Sequence, residues 1–157
     1  MNSGQSEGAT GEFLVFLVEE RFFALELEKV IQIISYVQPT IPPQRRPCIE
    51  GIIEFRGDFI PLMSLRKRLG LEGPSLDSQP VILFLRLGRQ TLALAADSVV
   101  RVLSQDLETV TEPPPKLQGV RSEFLRGVFN FDGRPLLWIN DESLVASHGE
   151  IPLAQDL

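Results

Sequence analysis

The chain has 157 residues, 43% of them hydrophobic, enough for one ordinary domain or two very small ones, and no apolar run approaches a membrane span. Its net charge of −6 repels phosphate backbones and anionic lipid, which argues for protein partners and against nucleic acid or direct membrane insertion. Cys48 is the single cysteine and His148 the single histidine, so a disulfide framework and a structural zinc site are both excluded.

Residues 1–11 are small, polar and faintly acidic, and lack the basic and apolar regions of a signal peptide. They are expected to be a disordered tail on a cytoplasmic protein. "FLVFLV" (13–18) is then a short unbroken apolar run, consistent with a strand buried on both faces, and Glu19-Glu20-Arg21 stand where a hairpin should turn. "VIQIIS" (30–35) leads into the proline loop "QPTIPPQRRP" (38–47), which cannot join a central ladder. "IEGIIEF" and "FIPLMS" follow as two strands around the corner Glu54, Arg56, Gly57 and Asp58, which pushes an arginine outward from an apolar stretch. "LRKRLGL" (65–71) has room for about two helical turns before Gly70 and Gly73-Pro74 stop it.

"VILFLRL" (81–87) repeats the first apolar run, with Gly88-Arg89-Gln90 at its turn. A second proline loop, "TEPPPKLQG" (111–119), precedes "LRGVFNFDGRPLLWIN" (125–140). "INDESLVASHG" (139–149) has Asn140 or Asp141 as a possible helix cap and Gly149 as a stop, so a short C-terminal helix is expected, followed by a tail over 148–157.

The chain is written twice. Val15–Ser35 align without a gap on Phe84–Ser104, shifted by 69 positions, with Ala24 on Ala93, Leu25 on Leu94, Val30 on Val99 and Glu28 on Asp97. Ile49–Ser64 align on Leu125–Asn140, shifted by 76, with Gly51 on Gly127, Phe55 on Phe131 and Gly57 on Gly133. Chance similarity between β-rich stretches would not keep order, polarity and turn position through two blocks. The expected fold is all-β: an internal duplication, with copies about 13–71 and 80–145, forming two small β-barrels of SH3 or OB type that share an interface.

Catalytic chemistry is not written in the chain. His148 lies in a polar terminal segment with no nucleophile beside it, the acids fall mainly at turns and ends, and "GLEGPS" lacks the lysine of a phosphate loop. No enzyme, cofactor or metal site is expected. A nucleic-acid or ligand-binding β-barrel module is the alternative, but it would need a basic groove studded with aromatics.

The stretches "EFLVFLVEERFFALELEKVIQII", "IPPQRRPCIEGIIEFRGDFIPLMSLRKRLGL" and "ALAADSVVRVL" resemble the CheW-like domain of bacterial chemotaxis coupling proteins. The likeness covers nearly all of residues 12–147, and its most specific part is Arg56-Gly57-Asp58-Phe59-Ile60-Pro61. It implies two five-stranded barrels with strands exchanged between the halves. It also implies a non-catalytic scaffold that couples the cytoplasmic tips of chemoreceptors to the regulatory domain of a histidine kinase, cytoplasmic and recruited to membrane-associated receptor arrays.

The resemblance implies roles for particular residues as well. Arg56 and Gly57 would lie at a receptor-binding groove, with Val30, Gln32, Glu54, Val99 and Val102, while Gly51, Ile52 and Leu62 would belong to a kinase-binding surface. For the valines the competing reading is core packing, and for Gly51 and Gly57 it is backbone geometry, since either can require a positive φ. The chain departs from the family pattern at Glu54, where an asparagine is usual, and at Gln32, where an acid is usual. It departs again at Ser64, in place of aspartate, and at Arg101, in place of an acid. Near the groove, Glu54 adds a charge and Gln32 removes one.

Overall fold

The computed structural model describes residues 9–44, 46–71 and 80–146. The first half holds β1 (Thr10–Val18), β2 (Arg21–Glu26), β3 (Val30–Ser35), β4 (Ile49–Phe55), β5 (Asp58–Ser64) and the single-turn helix α1 (Leu65–Arg68). The second holds β6 (Val81–Leu87), β7 (Gln90–Ala96), β8 (Ser98–Asp106), β9 (Lys116–Leu117), β10 (Val120–Arg121), β11 (Leu125–Phe131), β12 (Arg134–Ile139) and α2 (Asp141–Ala146). The strands form two five-stranded sheets and a small β9–β10 ribbon.

Sheet 1 runs β11-β12-β2-β1-β8 and sheet 2 runs β4-β5-β7-β6-β3. Place by place these are the strands that the two sequence shifts equate, so the duplication is a structural one. Neither copy forms its own sheet, however. Sheet 1 takes β1 and β2 from the first copy and β8, β11 and β12 from the second. Sheet 2 takes β3, β4 and β5 from the first and β6 and β7 from the second. All five strands of sheet 2 therefore lie between Val30 and Ala96, and the strands of sheet 1 come from before and after them. Even the irregularities repeat: the ladder shifts at Val30/Gln32 on β3 and opposite the corresponding stretch of β8, at Val15/Phe16.

The unbroken apolar runs follow from three cores. Adjacent side chains of a strand point to opposite faces, and here both faces are covered. In β1, Phe16 enters a core shared by the two sheets, with Phe23, Leu83 and Leu94, while Val15 enters an outer core of sheet 1 with Phe13 and Phe129. In β6, Leu83 faces the shared core and Phe84 an outer core of sheet 2 with Ile60 and Leu62. Alternation is lost because there is no wet face.

Local signals held with small shifts. Glu19-Glu20 and Gly88-Arg89 are the two-residue loops of the β1–β2 and β6–β7 hairpins. Helix α1 is shorter than two turns, ending as Gly70 takes φ +72°. Its cap is Ser64, whose Oγ accepts from the Lys67 amide at 3.2 Å, and the equivalent Asn140 accepts from the Ser143 amide at 3.4 Å before α2. The expected stops at Gly149 and at Gly73-Pro74 lie outside the described residues. At the other end β1 begins inside the expected tail, since Thr10 and Gly11 pair with Asp106 and Gln105.

Gly51 needs no positive φ. A Cβ there would stand 2.6 Å from the Thr40 carbonyl oxygen, and one at Gly127 2.3 Å from Val110 Cγ2. At both places the loop after an edge strand comes back across the sheet, pairing Thr40 with Ile52 and Thr111 with Val128. Glycine is there to let two backbones approach.

The links between the sheets are tied by buried charge. Between β7 and β8, Asp97 meets Arg66 of α1 at 3.1 Å, and Arg66 also bonds Glu19 on the β1–β2 turn. Asp97 accepts from the Glu19 amide at 2.8 Å. Between β2 and β3, Lys29 meets Asp141 of α2 at 3.0 Å, and Arg126 meets the same carboxylate at 3.1 Å. The two clusters tie corresponding link-to-helix junctions with opposite polarity, but on neighbouring and not aligned residues, since Asp97 aligns with Glu28 and Arg66 with Glu142.

Candidate functional site

The β4–β5 hairpin is closed by Arg56-Gly57, both left-handed, at φ +55° and +85°. Two residues with positive φ make a type I′ turn, whose twist matches that of the flanking strands. This explains the outward arginine: a two-residue loop at the end of a twisted hairpin has nowhere to bury a side chain. Arg56 is nevertheless held. Its guanidinium lies 4.8 Å above the Phe55 ring, which stacks on Phe84 at 4.0 Å, and Nη2 donates to Gln32 Oε1 on β3 at 2.9 Å. A carboxylate at position 32 would neutralise the cation. The amide of Gln32 orients the guanidinium and leaves its charge for a partner.

Arg56, Gly57 and Gln32 thus form one exposed constellation where the edge strands β3 and β4 of sheet 2 converge. A second side-chain tie spans the same two edges: Tyr36 Oη bonds Glu50 Oε1 at 3.2 Å. Burial, and then the neighbouring Glu50 charge and hydrogen bond, push the Tyr36 phenol above its ordinary pKa. At the equivalent tip of sheet 1 the turn is Asp132-Gly133 and the arginine follows it, Arg134 lying 5.4 Å from the centre of the Phe22 ring, so only in sheet 2 does the cation stand on the turn itself.

The other residues picked out in the sequence are spread more widely. Val30 and Val99 occupy equivalent places on the edge strands β3 and β8, both half-buried against the shared core. Val102 is exposed further along β8, on sheet 1. Glu54 is exposed on β4. Gly51 is buried and Leu62 is wholly buried in the outer core of sheet 2, so of the three kinase candidates Ile52 alone keeps partial exposure. Leu62 can act on a partner only by supporting the strand above it.

The exposed apolar residue that sequence reasoning passed over is Phe59. It pairs with Glu54 across the hairpin and is 59% exposed, and Ile41 in the proline loop is 56% exposed. Register places Phe59 opposite Glu54 and on the same face as Met63, which is buried in the shared core further along β5, so it is the place of Phe59 near the hairpin tip that leaves it exposed. Among the described residues no helix is long and apolar enough to cross a membrane, and no group of three or more His, Cys, Asp or Glu converges as metal ligands.

A family model described as the CheW-like domain matches residues 12–148. "Chemotaxis protein CheW" of Klebsiella aerogenes is 28% identical over 136 residues, 87% of this chain and 82% of that protein. "Protein PilI" of Pseudomonas aeruginosa is 25% identical, over 88% of this chain and 78% of that one. The crystal structure of the scaffolding protein TtCheW from Thermoanaerobacter tengcongensis superposes with a TM-score of 0.83 at 27% identity, covering 92% of this chain and 99% of that one.

Proposed function

The chain belongs to the CheW-like domain family, and on that premise we propose that it is a non-catalytic adaptor coupling a chemoreceptor tip to the regulatory domain of a chemotaxis-type histidine kinase. The observation that carries this reading is Arg56, a cation fixed on a rigid turn, aimed at solvent and braced by Gln32 and Phe55. A helical receptor tip offers carboxylates and end carbonyls, which a planar guanidinium can engage with two or more hydrogen bonds. Gly57, Val30, Glu54, Val99 and Val102 would border that groove. The kinase would dock on the β4–β5 hairpin, where Ile52 and Phe59 supply apolar area beside the buried Gly51 and Leu62. A stable contact there needs on the order of 1,000 Å² or more in total. The protein would work in the cytoplasm, at receptor arrays on the membrane.

The nucleic-acid alternative wants several exposed aromatic faces for base stacking. Phe59 is the one exposed phenylalanine among the described residues, and all the others but Phe124, which is itself buried, pack on another aromatic ring.

Arg56→Asn tests the docking role without disturbing the turn, because Asn-Gly is the preferred type I′ pair. Receptor-tip binding, followed by titration calorimetry, should weaken about tenfold or more, as for loss of a charge-assisted contact. Stability should stay within about 0.5 kcal/mol of the parent. Undiminished binding would remove Arg56 from the interface, and a large loss of stability with intact binding would make it a structural residue.

A further inference from the structure

On a chain with fifteen basic against twenty-one acidic side chains, four of the fifteen line a single open cavity of about 430 Å³. Lys67 and Arg68 reach it from α1, Lys116 and Arg121 from the β9–β10 ribbon, and among the described residues no carboxylate lines it. Its buried lining residues are Cys48, Leu69 and Arg68, two of them apolar. Lys67, Lys116 and Arg121 are exposed at its rim.

Two of these cations are held in place. Arg68 donates to the carbonyl oxygens of Leu144 and Ser143 at 2.8 and 3.0 Å and lies 4.9 Å above the Phe124 ring. Arg121 lies 5.4 Å from the centre of the same ring, which is itself buried. One aromatic ring thus gathers two guanidiniums at the cavity, against their mutual repulsion. A ligand that meets cations already in position has less ordering to do on binding. Arg121 also pairs with Glu123 at 2.7 Å, with both side chains more than half exposed. Such a pair is worth little and exchanges readily with an incoming carboxylate.

We propose that this cavity docks an acidic segment of a protein partner, seating two or more of its carboxylates among Lys67, Lys116 and Arg121. The cations stand on an open rim, and Cys48 and Leu69 offer apolar surface beside them, which suits glutamate side chains with their methylene stems. The site is separate from the Arg56 corner, since the seven residues of β5 intervene, roughly 20 Å of strand. It therefore does not depend on where the receptor or the kinase binds.

The test is fluorescence anisotropy of a labelled hexaglutamate peptide titrated with the intact chain at low ionic strength. The triple variant Lys67→Glu/Lys116→Glu/Arg121→Glu should bind about tenfold or more weakly, with an unchanged melting temperature. Arg86→Glu/Arg89→Glu/Arg101→Glu, three exposed reversals away from the cavity that change the net charge by the same amount, should change binding by less than about threefold. Equal losses in both variants would mean that the peptide senses only overall charge, and absence of peptide binding by the parent chain would equally overturn the proposal. Pyrophosphate is the remaining arm. If it bound at this cavity more tightly than the peptide and displaced it at stoichiometric amounts, the cavity would be a small-anion site and the docking proposal would fail.

Discussion

Cut between its two sequence copies, the chain is expected to lose its fold on both sides of the cut. A fragment of residues 1–75 holds β1–β2 without β8 or β12, and β3, β4 and β5 without β6 or β7, so no five-stranded sheet survives. The shared core is divided as well: Phe16 and Phe23 part from Leu83, Leu94 and Leu137. Fragments of roughly 70 residues are marginal even with an intact core. Residues 1–75 and 79–157 should each give poor amide dispersion and a random-coil or aggregated signature, whereas the intact chain should unfold in one cooperative step. Mixed, the fragments should regain native dispersion, because the missing partner strands are then supplied. A soluble, well-dispersed fragment on its own would show that the halves fold independently and that the strand exchange is incidental.

Removal of Arg66 is expected to be the most costly single change outside the apolar cores. Its guanidinium faces Glu19 and Asp97, whose side chains are 6% and 11% exposed. Without it two nearly buried carboxylates lose their shared cation in a site that joins the β1–β2 turn, α1 and the link between the sheets, and Glu19 keeps Arg21, at 3.2 Å. Breaking a buried pair from one side costs about 3 kcal/mol or more, of which the Arg21 contact offsets a part. Arg66→Met keeps the length and apolar stem of the side chain, so the loss read from denaturant midpoints should come from charge and not from packing. Adding Glu19→Gln and Asp97→Asn should recover much of it. A loss below about 1 kcal/mol for Arg66→Met, or no recovery in the triple variant, would mean that the cluster only decorates the interface.

These two expectations rest on features of unequal visibility in the sequence. Hairpins are local: Glu19-Glu20, Arg56-Gly57 and Gly88-Arg89 sit between apolar runs, and turn chemistry finds them. The repeat is legible because Gly51/Gly127 and Ser64/Asn140 keep their places, each for a reason the structure supplies, close backbone approach in one case and helix capping in the other. Strand exchange left no mark in residue pattern. A copy whose third strand pairs at home and one whose third strand pairs with its twin need the same apolar residues, so that feature came from family likeness alone. The ion clusters were invisible for a related reason, since Arg66 and Asp97, or Lys29 and Asp141, meet only once the sheets are assembled. At the candidate site, Arg56 and Gly57 stood out because a charged corner interrupts an apolar stretch. That Leu62 is buried and Phe59 exposed was not legible, because in a run buried on both faces periodicity does not say which side is out.

The adaptor reading makes its strongest claim in requiring two partners at once, on different parts of one molecule. Sedimentation velocity on the protein mixed with the receptor tip and the kinase regulatory domain of its own cell measures this directly. The account predicts one species containing all three components, with the receptor tip still retained when the kinase domain is saturating. Displacement of the receptor tip by the kinase domain, or failure of either to bind, would contradict it.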